Sequence, residues 1–445
     1  MNSFCVPSQY PTIQKAVNAA SVNGTVLVAA GTFMERVVLN KTVHLVGSGG
    51  GVSIIDGQGQ GPVVSVTHSG ASVSGFTVEN AGVYGSAVSL FQSNNVSVTG
   101  NTISSDPLSA RSTGAGVDLY LSNHTLIDGN VFVGNLFGVN MTSSGYNRVT
   151  NNLMTSNDLD GVRLVDSAHN FVFQNKFVGG EEGVEVTGQL STLNNVTRNL
   201  IRGMSFAGVF MGYFANGNLL NENTFILNHI GVDLQNATGS SSAPPNIFYH
   251  NSFLRSGFRN VNHVVASDIP LNWWDNRSFT TGPKGGNYWD DYTGTDPDGD
   301  GIGDNMLPWN SVDYHPLIVP FVPVPIAVVS VLPGKMSGVA PFTVSFTADV
   351  LGTLKPFIYS WDFGDNSPTS DLSAPTHTYS VVGNYNVSLL VKDTSGSTSL
   401  GSVIVSVVQA PGNQTSLYLA IMAVAIGATL LGFIYYRRRR SRKKN

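Results

Sequence analysis

Residues 116–164 read GVDLYLSNHTLIDGNVFVGNLFGVNMTSSGYNRVTNNLMTSNDLDGVRL, with a Gly-Val-x-apolar unit at the start, the middle and the end. The unit recurs as Gly116-Val117-Asp118-Leu119, Gly138-Val139-Asn140-Met141, Gly161-Val162-Arg163-Leu164, Gly183-Val184-Glu185-Val186, Gly208-Val209-Phe210-Met211 and Gly231-Val232-Asp233-Leu234. The intervals are 22, 23, 22, 25 and 23 residues. An Asn-x-apolar unit keeps the same phase at Asn130, Asn152, Asn175, Asn199 and Asn223, and Asn101 and Asn251 extend it at looser spacing. Two motifs in one phase define one structural period, the mark of a solenoid. Inside the period, short alternating runs with β-branched residues are bounded by Gly and Asn, and no helical period persists. Three short strands and three turns fill one period. A leucine-rich repeat would need its Leu signature and a propeller a longer period. The expected fold class is therefore all-β, a right-handed parallel β-helix with coils stacked at about 4.8 Å.

On this reading Val117 and Leu119 point inward while Asp118 points out. The outward residues Asp118, Asn140, Arg163, Glu185, Phe210 and Asp233 then form one strip across a sheet, with Arg163 and Glu185 close enough for an ion pair. A polar strip with an aromatic suits a polysaccharide or surface glycan, and the plainer reading is a solvated sheet with compatible cross-strand neighbours. The repeated Asn can tolerate left-handed backbone angles and can pass hydrogen bonds from coil to coil along a ladder. Glycoside hydrolysis needs two carboxylates at a set separation, and a lyase needs a base with Arg or Lys nearby. Asp158, Asp160, Arg163 and Glu185 come nearest to such a cluster, and no catalytic set is assigned.

A chain of 445 residues has room for more than one core, and 49 Gly with only 11% charged residues suits turn-rich β structure. Seven of the 23 basic residues lie between Arg437 and Lys444, which leaves 16 basic against 28 acidic groups in the rest of the chain. That excess repels phosphate backbones, so no nucleic-acid partner is expected. Cys5 stands alone, which excludes an intramolecular disulfide and a Cys-based zinc site. Leu417 to Tyr436 runs LYLAIMAVAIGATLLGFIYY without a charge, long enough to cross a bilayer core of roughly 30 Å. With the basic tail behind it, this segment predicts a single pass of the plasma membrane, an extracellular N-terminal part and a cytoplasmic C-terminus. The opening MNSFCVPSQYPTIQ shows no basic or apolar region of a signal peptide. All ten Asn-x-Ser/Thr sequons precede the span.

The opening residues Tyr10-Pro11-Thr12-Ile13-Gln14-Lys15-Ala16-Val17, Gly31-Thr32-Phe33-Met34-Glu35 and Leu45-Val46-Gly47 resemble the capping helix and first coils of NosD-like β-helix proteins. Those proteins are in turn similar to pectin esterases and lyases and to the carbohydrate-binding and sugar hydrolase β-helix class. Gly286-Asn287-Tyr288-Trp289-Asp290-Asp291-Tyr292 and Asp313-Tyr314-His315-Pro316-Leu317 resemble the C-terminal end of that family. The pectin esterase motifs and the paired-Asp and Arg-x-Lys arrangement of polygalacturonases do not occur in the coils. Trp361-Asp362-Phe363-Gly364-Asp365, His377-Thr378-Tyr379 and Gly383-Asn384-Tyr385-Asn386-Val387 resemble a PKD repeat, an immunoglobulin-like sandwich, with Asn366 where that family usually has Gly. The resulting organisation is a β-helix over 1–272, a C-terminal cap with an Asp-rich loop over 273–318, and a Pro-rich linker over 319–326. A PKD-like sandwich over 327–409, a transmembrane helix over 417–436 and a basic cytoplasmic tail over 437–445 complete it.

Asp296, Asp298 and Asp300 alternate, Gly301 follows, and Asp304 stands at the ninth position, as in a Ca²⁺ loop. Leu307 replaces the bidentate Glu of an EF-hand and no flanking helices are evident, so structural Ca²⁺ competes with a solvated acidic turn. The NosD name implies a copper-linked periplasmic role, but His and Met are scattered here and copper is not carried over. The expected function is a membrane-anchored surface protein that binds polysaccharide or other envelope components without catalysis. The alternative is a surface polysaccharide lyase or hydrolase acting through Asp158 to Glu185.

Overall fold

The computed structural model describes residues 3–409 apart from 83–84, 105–113, 236, 238–242, 255–258, 264–271, 276–283, 311, 322–325, 332–336, 352–355, 393–395 and 397. The span expected over 417–436 lies outside the described residues. Among the described residues, no helix is long and apolar enough to cross a membrane. The chain divides into two compact units, residues 1–322 and 323–445.

In the first unit, strands two to six residues long alternate among three parallel sheets, so successive coils stack strand on strand as a parallel β-helix. One sheet runs from Ser3–Val6 to Ile247–Tyr249, a second from Gly31–Met34 to Tyr288–Trp289, and a third from Val37–Leu39 to Arg259–His263. The third holds every Gly-Val unit. Val117, Val139, Val162, Val184, Val209 and Val232 are register partners in succession, so the six steps form one column. Each is fully buried, as are Leu119, Met141, Leu164, Val186, Met211 and Leu234 two residues on. Fully burying such a side chain contributes about 1.5–3 kcal/mol.

The glycine of the unit answers a steric demand. A Cβ at Gly161 would lie 2.3 Å from the Phe177 ring, and one at Gly116 or Gly208 would lie 2.6 Å from Phe132 or Phe225. Those rings belong to the interior column of the second sheet, Phe132, Met154, Phe177, Ile201, Phe225, Phe253 and Trp289. Phe225 stacks on Phe253 at 4.7 Å and Phe253 on Trp289 at 4.4 Å. The third sheet can approach these large side chains only where it lacks a side chain of its own.

The repeated Asn forms a buried ladder. Asn152 donates its backbone N–H to Asn175 Oδ1 at 3.0 Å and its Nδ2–H to the same oxygen at 2.9 Å, and Asn175 repeats both bonds to Asn199. The series runs from Asn101 through Asn130, Asn223 and Asn251 to Asn287. It ends on the buried Asp313 carboxylate, which accepts Asn287 N–H at 2.7 Å and Trp289 Nε1–H at 2.9 Å. A second ladder climbs Asn147, Asn170, Asn194, Asn218, Asn246 and Asn272. The expected hydrogen bonding is present, but the left-handed angles fall one residue earlier, at Asn151, Gln174, Arg198, Glu222 and His250. The bend that turns the chain comes first, and the amide then faces inward toward the next coil.

At the other end, the helix Ile13–Ala19 closes the core with Ile13, Ala16 and Val17. Glu35 accepts the N–H groups of Ile13 and Gln14 at 2.8 and 3.0 Å, donors that have no partner within the helix. The second unit is a β-sandwich. Its three-stranded sheet contains Ile326–Val331, Phe342–Leu351 and Thr376–Tyr379, and its four-stranded sheet Ser337–Val339, Thr398–Val408, Gly383–Lys392 and Ile358–Asp362. Trp361, buried between them, donates Nε1–H to Leu372 O at 2.8 Å. Asn366 takes the left-handed φ of 63° that its turn requires.

Replacing Asn175 by Ala strands the buried N–H of Asn152 and the carbonyl of Val149. The expected loss is about 2 to 4 kcal/mol in urea unfolding, whereas exposed Lys176→Ala should change stability by less than about 0.5 kcal/mol. Equal losses for the two variants would refute the ladder's role.

Candidate functional site

The outward positions of the third sheet are register partners across six strands: Asp118, Asn140, Arg163, Glu185, Phe210 and Asp233. Asn140 donates Nδ2–H to Asp118 Oδ1 at 2.7 Å, and burial pushes the Asp118 carboxyl up from its usual range. Arg163 Nε–H donates to Glu185 Oε2 at 2.7 Å, and its guanidinium sits 5.2 Å from the Phe137 ring. These four polar residues are partly buried, whereas Phe210 and Asp233 are covered. Phe210 packs with Ala207, Ile230 and Phe206 on the outside of the sheet, and Asp233 accepts Gln235 Nε2–H at 2.9 Å.

Two residues beyond Ser89 and Asp118, on the same face, Phe91 and Tyr120 are register partners stacked at 5.6 Å with planes 12° apart. Both stay exposed, at 50% and 43%. The sequence held their signal, because a residue two places from an outward residue is itself outward.

A second row precedes the Gly-Val units, with Phe137, Asp160, Glu182, Ala207 and Ile230 before successive glycines. Asp160 and Glu182 are register partners and hydrogen-bond to each other. The side chains of Asp160, Glu185 and Arg163 are 2%, 15% and 33% exposed. Asp160 Oδ2 lies 3.9 Å from Arg163 Nε, and its buried Oδ1 has no hydrogen-bond partner. Burial, then contact with Glu182 and Glu185, pushes the Asp160 carboxyl up to about 12, so it carries a proton. Burial and neighbouring carboxylates raise Glu182 as well. Of the four residues considered for catalysis, Asp160, Arg163 and Glu185 come together. Asp158 lies in the preceding turn with its side chain exposed and no ion pair to Arg163.

In the Asp-rich loop, Asp296, Asp298 and Asp304 each offer an oxygen within 4.8 Å of the others. Asp300 lies outside that group, and its Oδ1 accepts Ile302 N–H at 2.9 Å. Asp296 takes the N–H groups of Gly299 and Gly301 at 2.7 and 2.9 Å, and these bonds outweigh desolvation to hold its carboxyl below the usual range. Desolvation and the neighbouring carboxylates push Asp304 up. The donors do not fit copper. This carboxylate group, the metal-competent cluster among the described residues, offers hard oxygen atoms, and His124 and His169 are separated by the Tyr146 ring stacked between them at 5.2 and 4.5 Å.

Residues 64–294 match the profile of the family described as "Periplasmic copper-binding protein (NosD)", and residues 325–408 that of the "PKD domain". No protein with a curated description matches the chain. Among solved structures, the chain is similar to an alginate lyase from Paenibacillus sp. str. FPU-7, at 13% identity and a TM-score of 0.47, over 58% of this chain and 99% of the lyase. It is similar to the A-module of the mannuronan C-5 epimerase AlgE4 from Azotobacter vinelandii at 17% identity and a TM-score of 0.38, over 56% of this chain and 89% of the module. The PKD1 domain of Vibrio anguillarum Epp is 27% identical at a TM-score of 0.17, over 20% of this chain and 96% of that domain. These are likenesses of fold, and no chemistry passes from them to this chain.

The state of Asp160 has a thermal consequence. Its folded pKa lies above the unfolded value of about 3.9, so its contribution is fully present below that value and is lost as pH rises toward about 12. Asp160→Asn keeps an N–H donor without an ionisable group. The melting temperature of the variant should exceed that of the parent by at least about 2 °C near pH 8, and the gap should shrink near pH 4. A gap independent of pH would refute the protonated state.

Proposed function

Because this chain belongs to the NosD family of β-helix proteins and carries a PKD domain, we propose that it is a non-catalytic cell-surface protein that binds polysaccharide through the outer face of the Gly-Val sheet. In this reading the 417–436 segment anchors it in the plasma membrane with the C-terminus cytoplasmic, and the PKD domain lies between anchor and β-helix in the chain. One observation carries the reading: the exposed Phe91–Tyr120 stack adjoins a hydrogen-bonded polar row, Asp118 with Asn140 and Arg163 with Glu185. Aromatic surface beside fixed polar groups is the composition that recognises sugars.

The state of the carboxyls weighs against turnover. A glycosidase separates its two carboxyls by about 5 Å or more to admit the sugar, but Asp160 and Glu182 are hydrogen-bonded to each other and Asp160 is buried. Glu185 is committed to Arg163. We also place a structural Ca²⁺ at Asp296, Asp298 and Asp304, because a cation there would relieve the repulsion among these carboxylates.

On a glycan array the full-length chain should bind polysaccharide and release neither reducing ends nor unsaturated products, and Tyr120→Ala should weaken binding at least about tenfold. Turnover that disappears in Glu185→Gln would instead establish the lyase or hydrolase reading. Chelation should lower the melting temperature of metal-loaded protein by at least about 2 °C. An unchanged transition after the metal has demonstrably been removed would discard the calcium site.

A further inference from the structure

Seven of the ten Asn-x-Ser/Thr sequons begin at described residues, and the structure sorts them. Asn123 Oδ1 accepts Gly145 N–H at 2.7 Å, Asn140 is bonded to Asp118, and Asn195 accepts the Thr197 hydroxyl, so these three amides are engaged. Asn23, Asn40, Asn95 and Asn386 are exposed. Asn386, in the β-sandwich, differs from the other three in what surrounds it. Along the strand Gly383–Lys392, Val387 and Leu389 enter the core, while Asn386, Ser388 and Leu390 face outward. The spacing of the sequon thus equals the period of the strand, and the amide and the hydroxyl present themselves on one face. On the neighbouring strand Thr398–Val408, Ile404 is the register partner of Asn386, Ser402 of Ser388 and Leu400 of Leu390. Leu390, Leu400 and Ile404 are 44%, 61% and 60% exposed. A contiguous exposed aliphatic patch marks a contact or an aggregation liability, and here the acceptor of a bulky, solubilising group stands beside it.

Resting on the outward placement of this part of the chain in the reading above, we propose that Asn386 carries an N-linked oligosaccharide whose first sugars lie over Ile404, Leu400 and Leu390. In the transfer, the bond from Asn386 Nδ2 to the anomeric carbon forms as the bond from that carbon to a polyprenyl-linked diphosphate breaks, and the amide proton leaves with the released diphosphate. A sugar ring has a C–H face as well as hydroxyls. The C–H face covers the aliphatic side chains, which is favourable, and the hydroxyls reach Ser388 and Ser402. A second copy of the sheet fits this patch less well, because it would bury Ser388, Ser402 and the Asn386 amide against apolar side chains without hydrogen-bond partners.

The test is peptide mass spectrometry of the full-length chain isolated from the cells that naturally produce it. The peptide containing Asn386 should carry the added mass of an oligosaccharide, with fragment ions that place it on this residue. Ser388→Ala should lose that mass and Ser388→Thr should keep it, which separates loss of the sequon from loss of the fold. In mild detergent the bared Ser388→Ala chain should shift toward dimers and larger species on size-exclusion chromatography, and adding Ile404→Ser should reverse the shift. A bare Asn386 in the natural chain would overturn the proposal, and a Ser388→Ala chain that elutes like its parent would overturn the covering of the patch. An impermeant amine reagent applied to intact cells tests the outward placement separately. Labelling of exposed Lys392 together with a bare Asn386 would overturn the glycan alone, whereas labelling only after lysis would overturn the outward placement as well.

Discussion

In the coils that follow Phe76 the chain turns a corner inside the protein, and the backbone N–H at that corner points along the stack. No water reaches it, and an unmet buried donor is expensive. The side-chain amide of Asn in the following coil accepts it, and the Nδ2–H of the same amide hands the pattern on. This repeated amide is the constraint on which the rest of the unit depends. Register follows from it, since a slip by one residue would break every rung and would turn the Val and Leu columns outward. Coil length can vary only between rungs, as between Asn223 and Asn251 or between Asn251 and Asn287. The ladder must also end, and an acceptor-only carboxylate, Asp313, ends it. Burial pushes that carboxyl up to about 6, which leaves it ionised and accepting at neutral pH.

A fixed register has a second effect on the outer face. Residues at one phase of the repeat are brought within about 5 Å of one another whatever their chemistry. Asp160 and Glu182 are neighbours for that reason, and neither strand can shift to separate them. The repulsion is relieved locally, by a proton on Asp160 and by Arg163 against Glu185. The acidity of this face is thus a consequence of the scaffold.

Inward and outward alternation, the single column of Gly-Val steps, and the Arg163–Glu185 pair were legible in the sequence because each depends on phase alone. Other features were misread or passed over for identifiable reasons. Asn152 and Asn175 can tolerate a left-handed conformation, yet Asn151 and Gln174 adopt it, since composition marks a turn but does not say which residue bends. Tyr120 was overlooked although it occupies an outward phase, whereas Glu182, two places before the inward Val184, stands beyond a break in the alternation at Gly183. Phe210 and Asp233 share the phase of Arg163 but lie buried, which depends on packing on the outer side of the sheet.

Periodicity by itself determined the coil, its core columns and the row in which the candidate residues stand, because those follow from equal spacing along the chain. Only the tertiary structure decided which members of the row stay accessible, that Asp160 is buried with an unpartnered oxygen, and that Asp313 closes the ladder. Burial and partnership are set by segments far apart in sequence, and no local pattern encodes the distance between them.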